Sequence, residues 1–412
     1  MEQQQPPPTL PTDPLLEVIA RSDDVTTVVR CAAVSKPLRR AILDPGFRRR
    51  LGLRAAATGG FDPDLVTSVS YRVRLRADID GTRFNHVVVH PAGGSVRFDA
   101  NLLRSYNPAS SREALLVLRR DHERRGFVEL LVCNAVTGQS TPLPRMDLHL
   151  ASSGRTRADV YCPALLSTGG GGSSFELLVM YGHSRMDLQH WETQIFSSEG
   201  AGWGAARRIH LPQDVQEATF TAPAVIERSV HWLCNNRGQQ PMVILALHAE
   251  AAQATVIQLP QELLASLGGS YAMSRPENNL ILAATAEGKR LSLVVAEKFV
   301  ISVWTLLPVP DEGSSSSISS WSREVVVKRR EIGRELQFAA AVDAYQPIQF
   351  EVFGERSGTV LFWMQEIGLV QLNLGTKKVK LLWKGSSRDS RGGKAFLHEV
   401  DLGSLLQRMK AF

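Results

Sequence analysis

From about Ala55 onward the chain alternates runs of five to eight β-prone residues with clusters of Gly, Ser, Pro and Asn. The runs include VTSVSYRVRL from Val66, FVELLVC from Phe127, FELLVMY from Phe175, VILALH from Val243, LSLVVA from Leu291, VISVWTL from Val300 and TVLFWM from Thr359. Runs of this length suit strands, and the breakers on either side leave little room to extend them into helices. No amphipathic helical stretch of any length separates them, so residues 55–412 read as one all-β domain. An apolar strand, a polar turn and a second strand often ending in Leu-Pro recur as LLVCNAVTGQSTPLP, ILALHAEAAQATVIQLP and LVQLNLGTKKVKLLW. Hairpins repeated over this length predict a β-propeller of about six four-stranded blades, because a two-sheet sandwich would be unusually large. Two low-complexity stretches, STGGGGSSF from Ser167 and DEGSSSSISSW from Asp311, are predicted to be blade loops.

The first fifty residues follow a different period. Residues 1–9, with three glutamines and three prolines, read as a disordered start, and residues 10–51 as a small helical domain. Asp13 is a good N-cap and Pro14 suits the first helical position, so a helix should carry Leu15, Leu16, Val18 and Ile19. Val25, Val28, Val29 and Ala32 then fall at i, i+3, i+4 and i+7, one face of a second helix that must end near Lys36, before Pro37. Pro37 can open a third helix with Leu38, Ala41 and Ile42 inward. Asp44 and Pro45 repeat the cap-then-proline signal for a last turn holding Phe47 and Leu51. A unit this small lies below the ~70 residues at which one core usually suffices without staples, so it should need a partner surface.

The order of motifs in that segment resembles an F-box: LP (Leu10, Pro11), LLEVIA (Leu15 to Ala20), VSKPLRR (Val34 to Arg40, with Leu38 where tryptophan is usual) and DPGF (Asp44 to Phe47). The resemblance implies that Leu10, Pro11, Leu15, Leu16, Val18, Ile19, Val34 and Leu38 dock a Skp-type adaptor, which bridges to a cullin ubiquitin ligase. The phrases SVHWLC, ISVWTL and IFSSEGAGW are similar to the propeller-like domain that follows the F-box in many grass proteins. The fold class so implied is mainly β, a small helical F-box before a propeller. The function implied is that of a non-catalytic, substrate-recognition subunit holding an unidentified target protein. An enzyme or glycan-binding propeller with a purely structural helical start is the alternative.

Composition narrows the remaining classes. A net charge of +6 from 47 basic and 41 acidic residues is thinly spread, unlike the dense patch of a nucleic-acid binder. Cys31, Cys133, Cys162 and Cys234 are far apart without a CxxC pair, which points to a reducing, intracellular setting with neither zinc nor disulfides. The longest uncharged apolar run, around Phe299 to Val309, is far below the ~18 residues of a membrane span.

Motifs for chemistry are weak. GAGWGA, Gly200 to Ala205, matches the dinucleotide-binding pattern, but Pro212 follows too soon for the helix that would hold a pyrophosphate, so a tight turn is expected. His86 and His90 in HVVVH would lie about 13 Å apart on a strand, too far for one metal ion. RRDHERR, Arg119 to Arg125, reads as a charged hairpin tip that could meet an acidic partner. No nucleophile motif or P-loop occurs, so no cofactor, metal or catalytic residue is assigned. The tryptophans, beside strands, are expected mostly in the core.

Overall fold

A computed structural model of the chain describes residues 12–21, 28, 31–32, 34–44, 46–47, 66–74, 82–88, 99–122, 127–134, 138–147, 159–160, 162–168, 174–185, 188–212, 215–218, 222–236, 242–268, 279–285, 289–308, 320–337, 348–364, 367–384 and 394–399. Residues 1–9, Leu10, Pro11 and both low-complexity loops fall largely or wholly outside this set.

The β-prone runs form antiparallel meanders, each a blade whose first strand lies innermost. The first blade takes Asn107–Arg112, Leu115–His122, Phe127–Asn134 and Ser140–Pro142 in spatial order. The second is built on Ala164–Thr168, Phe175–Arg185 and Leu188–Ser197, and the third on Ala224–Ile226, Ser229–Asn236, Met242–His248 and Thr255–Gln258. The fourth runs from Leu280–Ala284 through Leu291–Ala296 and Val300–Leu306 to Trp321–Lys328. The fifth runs from Ile348–Phe353 through Thr359–Met364 and Gly368–Asn373 to Val379–Lys384. All seven runs singled out in the sequence are strands, and the repeated hairpins are the third and fourth strands of blades one, three and five.

The protein is therefore mainly β, a propeller with five blades of four or more strands among the described residues rather than about six. A sixth sheet has three strands, ordered Thr82–Val88, Val66–Arg74, Lys394–Glu399, and so joins an early segment to a late one. Its strand Lys394–Glu399 touches the inner strands of both the first and the fifth blade.

Blade stacking explains why the strands read as unbroken apolar runs rather than as alternating ones: each is covered on both faces. In the first blade, Leu115 and Val117 pack with Leu177 and Val179 of the second, whereas Leu116 and Leu118 pack with Phe396 of the three-stranded sheet. Leu178 and Met180 face Trp232 and Cys234 of the third blade, whose Leu233 and Ile244 face Leu293 and Val295 of the fourth. Val294 and Ala296 meet Val360 and Phe362 of the fifth, whose Leu361 and Trp363 meet Val69 and Leu397 of the three-stranded sheet. The Leu-Pro endings also have a function in packing. Leu143 and Leu259 are buried, and nearby carbonyls accept indole N–H groups from the next blade: Trp203 Nε1 donates to Pro144 O at 2.9 Å, Trp321 Nε1 to Gln258 O at 3.2 Å. Trp191, Trp232, Trp304 and Trp363 are buried, as expected of core tryptophans.

Two helices interrupt the β-domain against expectation, Gln261–Gly268 and Arg329–Glu335, together with a 3-10 turn at Ala100–Arg104. Each helix has two turns or fewer and inserts few buried positions, chiefly Leu263 in one and Ile332 in the other. That is too few for a helical period to stand out from the flanking strands.

His231 in the third blade is buried, and its Nδ1 has no hydrogen-bond partner among the described residues. Burial pushes its pKa down to about 4, against the opposing pull of backbone hydrogen bonds at Ala224 and Ser229. Because the folded value lies below that of the unfolded chain, the fold binds fewer protons and loses stability as pH falls from about 6.5 to about 4. Thermal melts across that interval should show a falling midpoint, and His231→Phe should flatten that slope whatever its effect at neutral pH. An equal slope in both proteins would contradict the assignment.

Candidate functional site

The N-terminal segment builds a small apolar core of its own. The first helix, Thr12–Ala20, contributes Leu16 and Ile19; Val28 and Ala32 come from helical residues of the next segment; Leu38 and Ile42 come from the helix Lys36–Leu43; Phe47 completes the set. Among the described residues, none from the blades belongs to this cluster. The capping is as the sequence implies at Asp44 only: the first helix begins at Thr12, so Asp13 lies inside it rather than before it, and the cap of the helix Lys36–Leu43 is Ser35, which the pattern did not single out. Ser35 Oγ accepts from Leu38 N at 3.3 Å, with Pro37 in the first turn. Asp44 Oδ1 accepts from Gly46 N at 2.7 Å and Phe47 N at 3.3 Å, which holds the turn that drives Phe47 inward.

This packing divides the docking candidates into two groups. Leu16, Ile19 and Leu38 are buried in the unit's own core, and Leu15 is half-buried against it. Val18 and Val34 point the other way, 69% and 79% exposed. Leu10 and Pro11 lie outside the described residues. The inward group gives the unit its shape, and the outward pair is what it can offer a partner.

A second concentration of polar residues lies where the three-stranded sheet meets the first and fifth blades. Arg112, at the end of the first blade's inner strand, reaches across two seams. Its Nη1 donates to Leu165 O at 2.9 Å and Leu166 O at 2.8 Å in the second blade, and its Nε lies 3.1 Å from Glu355 Oε2 in the fifth. Arg356 pairs with Glu113 of the first blade's tight hairpin. Glu399, the last residue of its strand, accepts from Ser357 N at 2.9 Å and Arg356 N at 3.4 Å, and its own N–H donates to Glu113 O at 3.3 Å. A Cβ on Gly354 would collide with the Glu399 carboxylate and the Ser357 hydroxyl, so only glycine leaves room for this seat. Burial pushes the Glu399 and Glu355 carboxyls up, and in Glu355 the guanidinium of Arg112 opposes the shift.

Three carboxylates and two guanidiniums so close together could suggest acid–base chemistry. Each acid, however, is already engaged: Glu113 by Arg356, Glu355 by Arg112, Glu399 by backbone N–H groups. The arrangement holds four sheets together, the three-stranded one and the first, second and fifth blades, with each of these acids engaged by the protein itself. Sequence reasoning missed it because Arg112, Glu355 and Glu399 are far apart in the chain and match no motif.

The remaining motifs resolve simply. Residues 198–201 form a turn in which Ala201 has φ 50°, Gly204 N donates to Ile195 O at 2.8 Å, and strand rather than helix follows, so GAGWGA is a tight turn. His86 lies on Thr82–Val88, and His90 is outside the described residues. In RRDHERR, Arg120 is engaged by Glu129 at 2.8 Å and stacks over Tyr106 at 4.8 Å, while residues 123–125 at the tip are not described. Among the described residues no group of three or more His, Cys, Asp or Glu could hold a metal ion, and no helix is long and apolar enough to cross a membrane.

The family described as "Domain of unknown function (DUF7595)" matches residues 68–412. No curated protein matches the chain in sequence. Among solved structures, the chain is similar to TolB from Acinetobacter baumannii at 9% identity and TM-score 0.37, over 81% of this chain and 68% of that one. It is also similar to a DUF4784 family protein from Bacteroides caccae at 11% identity and TM-score 0.39, over 80% and 74% of the two chains.

The seat of Glu399 yields a direct test. Glu399→Ala leaves two backbone N–H groups without acceptors, at about 1–3 kcal/mol for each group that stays buried. Glu399→Gln keeps an acceptor and removes a buried charge, so it should cost less. Thermal and urea unfolding should rank the parent and Gln variant well above the Ala variant, with Gly354→Ala destabilised as well. Equal stability of Ala and Gln variants would remove the seat's importance.

Proposed function

Because the chain belongs to the DUF7595 family, a domain of unknown function, we propose a role from its own surfaces: the substrate-recognition subunit of a Skp–cullin–F-box type ubiquitin ligase. The helical unit docks the adaptor, the β-domain holds a target protein, and the chain itself carries out no chemistry. One observation carries the reading. A unit of short helical segments has filled its inner face with Leu16, Ile19, Val28, Ala32, Leu38, Ile42 and Phe47, and still leaves Val18 and Val34 exposed. Exposed valines on so small a unit are accounted for when a partner covers them. The order LP, LLEVIA, VSKPLRR, DPGF supports an F-box, and SVHWLC, ISVWTL and IFSSEGAGW support a relationship to the F-box proteins of grasses. An intracellular location accompanies this role.

In this reading the three-stranded sheet serves as a sixth blade. It is packed on both faces, by Leu116 and Leu118 on one side and Leu361 and Trp363 on the other. The alternative, an enzyme or glycan-binding propeller, calls for acids or aromatics free to meet a ligand, and the acids at the seam are occupied by the protein itself.

Covering a valine side chain contributes roughly 1.5 kcal/mol or more, and a buried unpaired carboxylate costs several more. Val18→Asp combined with Val34→Asp should therefore weaken binding to a purified Skp-type adaptor by about a hundredfold or more. The melting of the β-domain should be unchanged, since neither residue touches it in the apolar clusters. Leu16→Asp, by contrast, should unfold the helical unit and reduce the helical circular dichroism signal. Failure of the parent protein to bind any Skp-type adaptor in a pull-down would overturn the proposal.

A further inference from the structure

The fourth blade carries a surface that neither the packing nor the seam uses. Its second and third strands, Leu291–Ala296 and Val300–Leu306, are joined by a turn at Glu297–Phe299, a place where Gly, Asn or a charged residue is usual. Phe299 sits there 61% exposed, one of four large exposed hydrophobic residues among those described. Its position is held: Arg329 N donates to Phe299 O at 2.9 Å, which ties the turn to the start of the helix Arg329–Glu335. The Lys298 ammonium lies 5.1 Å from the centre of the Phe299 ring.

Exposed cations lie near this turn along the strand register. Val300 pairs with Lys328 in the strand register, so Lys328 stands beside the turn, and Arg330 follows two residues later, both exposed. Beneath them Arg329 is buried, with Nη2 3.4 Å from Ala296 O, and adds fixed positive charge. The nearby acids are used elsewhere. Glu297 is held by Arg323 through bonds of 2.9 and 2.6 Å, and its carboxyl is pulled below the usual range by that guanidinium and by Ser302, against the effect of burial. Glu331 accepts from Lys328 N at 3.2 Å.

We propose that the Glu297–Phe299 turn and the adjoining start of the helix Arg329–Glu335 form a docking surface for an acidic peptide segment of a partner protein. An apolar side chain of the segment seats on Phe299, and its carboxylates pair with Lys328 and Arg330. The pattern fits a peptide better than a single-stranded nucleic acid, which would call for several stacking aromatics along a basic groove. Here a single exposed aromatic sits on a turn with exposed cations close by in the strand register. The inference deepens the ligase reading by giving the chemistry of the target, and it can be tested without the adaptor.

The test uses the full chain and three fluorescein-labelled probes: a decapeptide of glutamates around a central Leu-Phe pair, an all-glutamate decapeptide, and an oligothymidine of equal length. Fluorescence anisotropy should show saturable, salt-weakened binding of the first probe, with the second bound about tenfold more weakly. Phe299→Ser and the double change Lys328→Ala with Arg330→Ala should each weaken binding of the first probe by about tenfold, with an unchanged melting temperature. No saturable binding, equal binding by the variants, or preference for the oligothymidine through the same residues would overturn the proposal. A Phe299→Ser protein that still pulls down a Skp-type adaptor separates failure of this surface from failure of the ligase reading. Peptide binding without adaptor binding would leave this surface standing and remove that reading.

Discussion

Pairing of Val66–Arg74 with Lys394–Glu399 is the contact on which the rest of the β-domain depends. Every other sheet is a local meander that can form from consecutive residues, whereas this ladder brings together strands from opposite ends of the domain. The entropy of closing so long a loop rises only slowly with length, by about 0.6 kcal/mol per doubling, so the ladder is affordable once its faces are buried. Its strands are covered on one side by the first blade and on the other by the fifth, and Glu399 adds a polar lock to the fifth blade's first hairpin. Without it, Leu116, Leu118, Leu361 and Trp363 would each lose a packing partner. Because the contact is non-local, it should also be among the last to form during folding.

The seam shows how charge is used where sheets meet and water is only partly within reach. Arg112 touches two blades and Arg356 a third element, so each guanidinium works as a rigid multi-pronged donor. Burial pushes the Glu355 and Glu399 carboxyls up, and the donors placed against them pull the other way. The result is orientation: the sheets can rotate little relative to one another once these bonds are made. The acids where the three-stranded sheet meets the first and fifth blades are thus held by the protein's own donors.

Those surfaces are few and differ in kind. Val18 and Val34 project from a helical unit whose interior is already full, and Phe299 projects from a turn pinned by a backbone hydrogen bond. In each case a residue that would normally be buried is held outward by local structure that is itself well satisfied. Chance exposure in a mobile loop would leave it without such support. In the proposed reading the first pair meets an adaptor and the second feature meets a target, through separate units of one chain.

The sequence alone determined the local elements. Strand runs, the repeated hairpins, the Asp44 cap and the turn at GAGWGA all follow from periodicity and breaker residues, which act over a few positions. It also pointed to a core place for most of the tryptophans, four of which are buried, though not to the burial of Leu143 and Leu259 in the Leu-Pro endings or to the Trp203 and Trp321 indoles that bridge to the preceding blade. Short helices such as Gln261–Gly268 were hidden because one or two inward residues make no period. What only the tertiary structure decided is which apolar residues of the first helix face inward, how many sheets stand in the ring, and which charges meet. Leu16 and Val18 are alike in composition and differ only in what the next helix covers. Arg112, Glu355 and Glu399 have no shared motif because the ring, and not the chain, makes them neighbours.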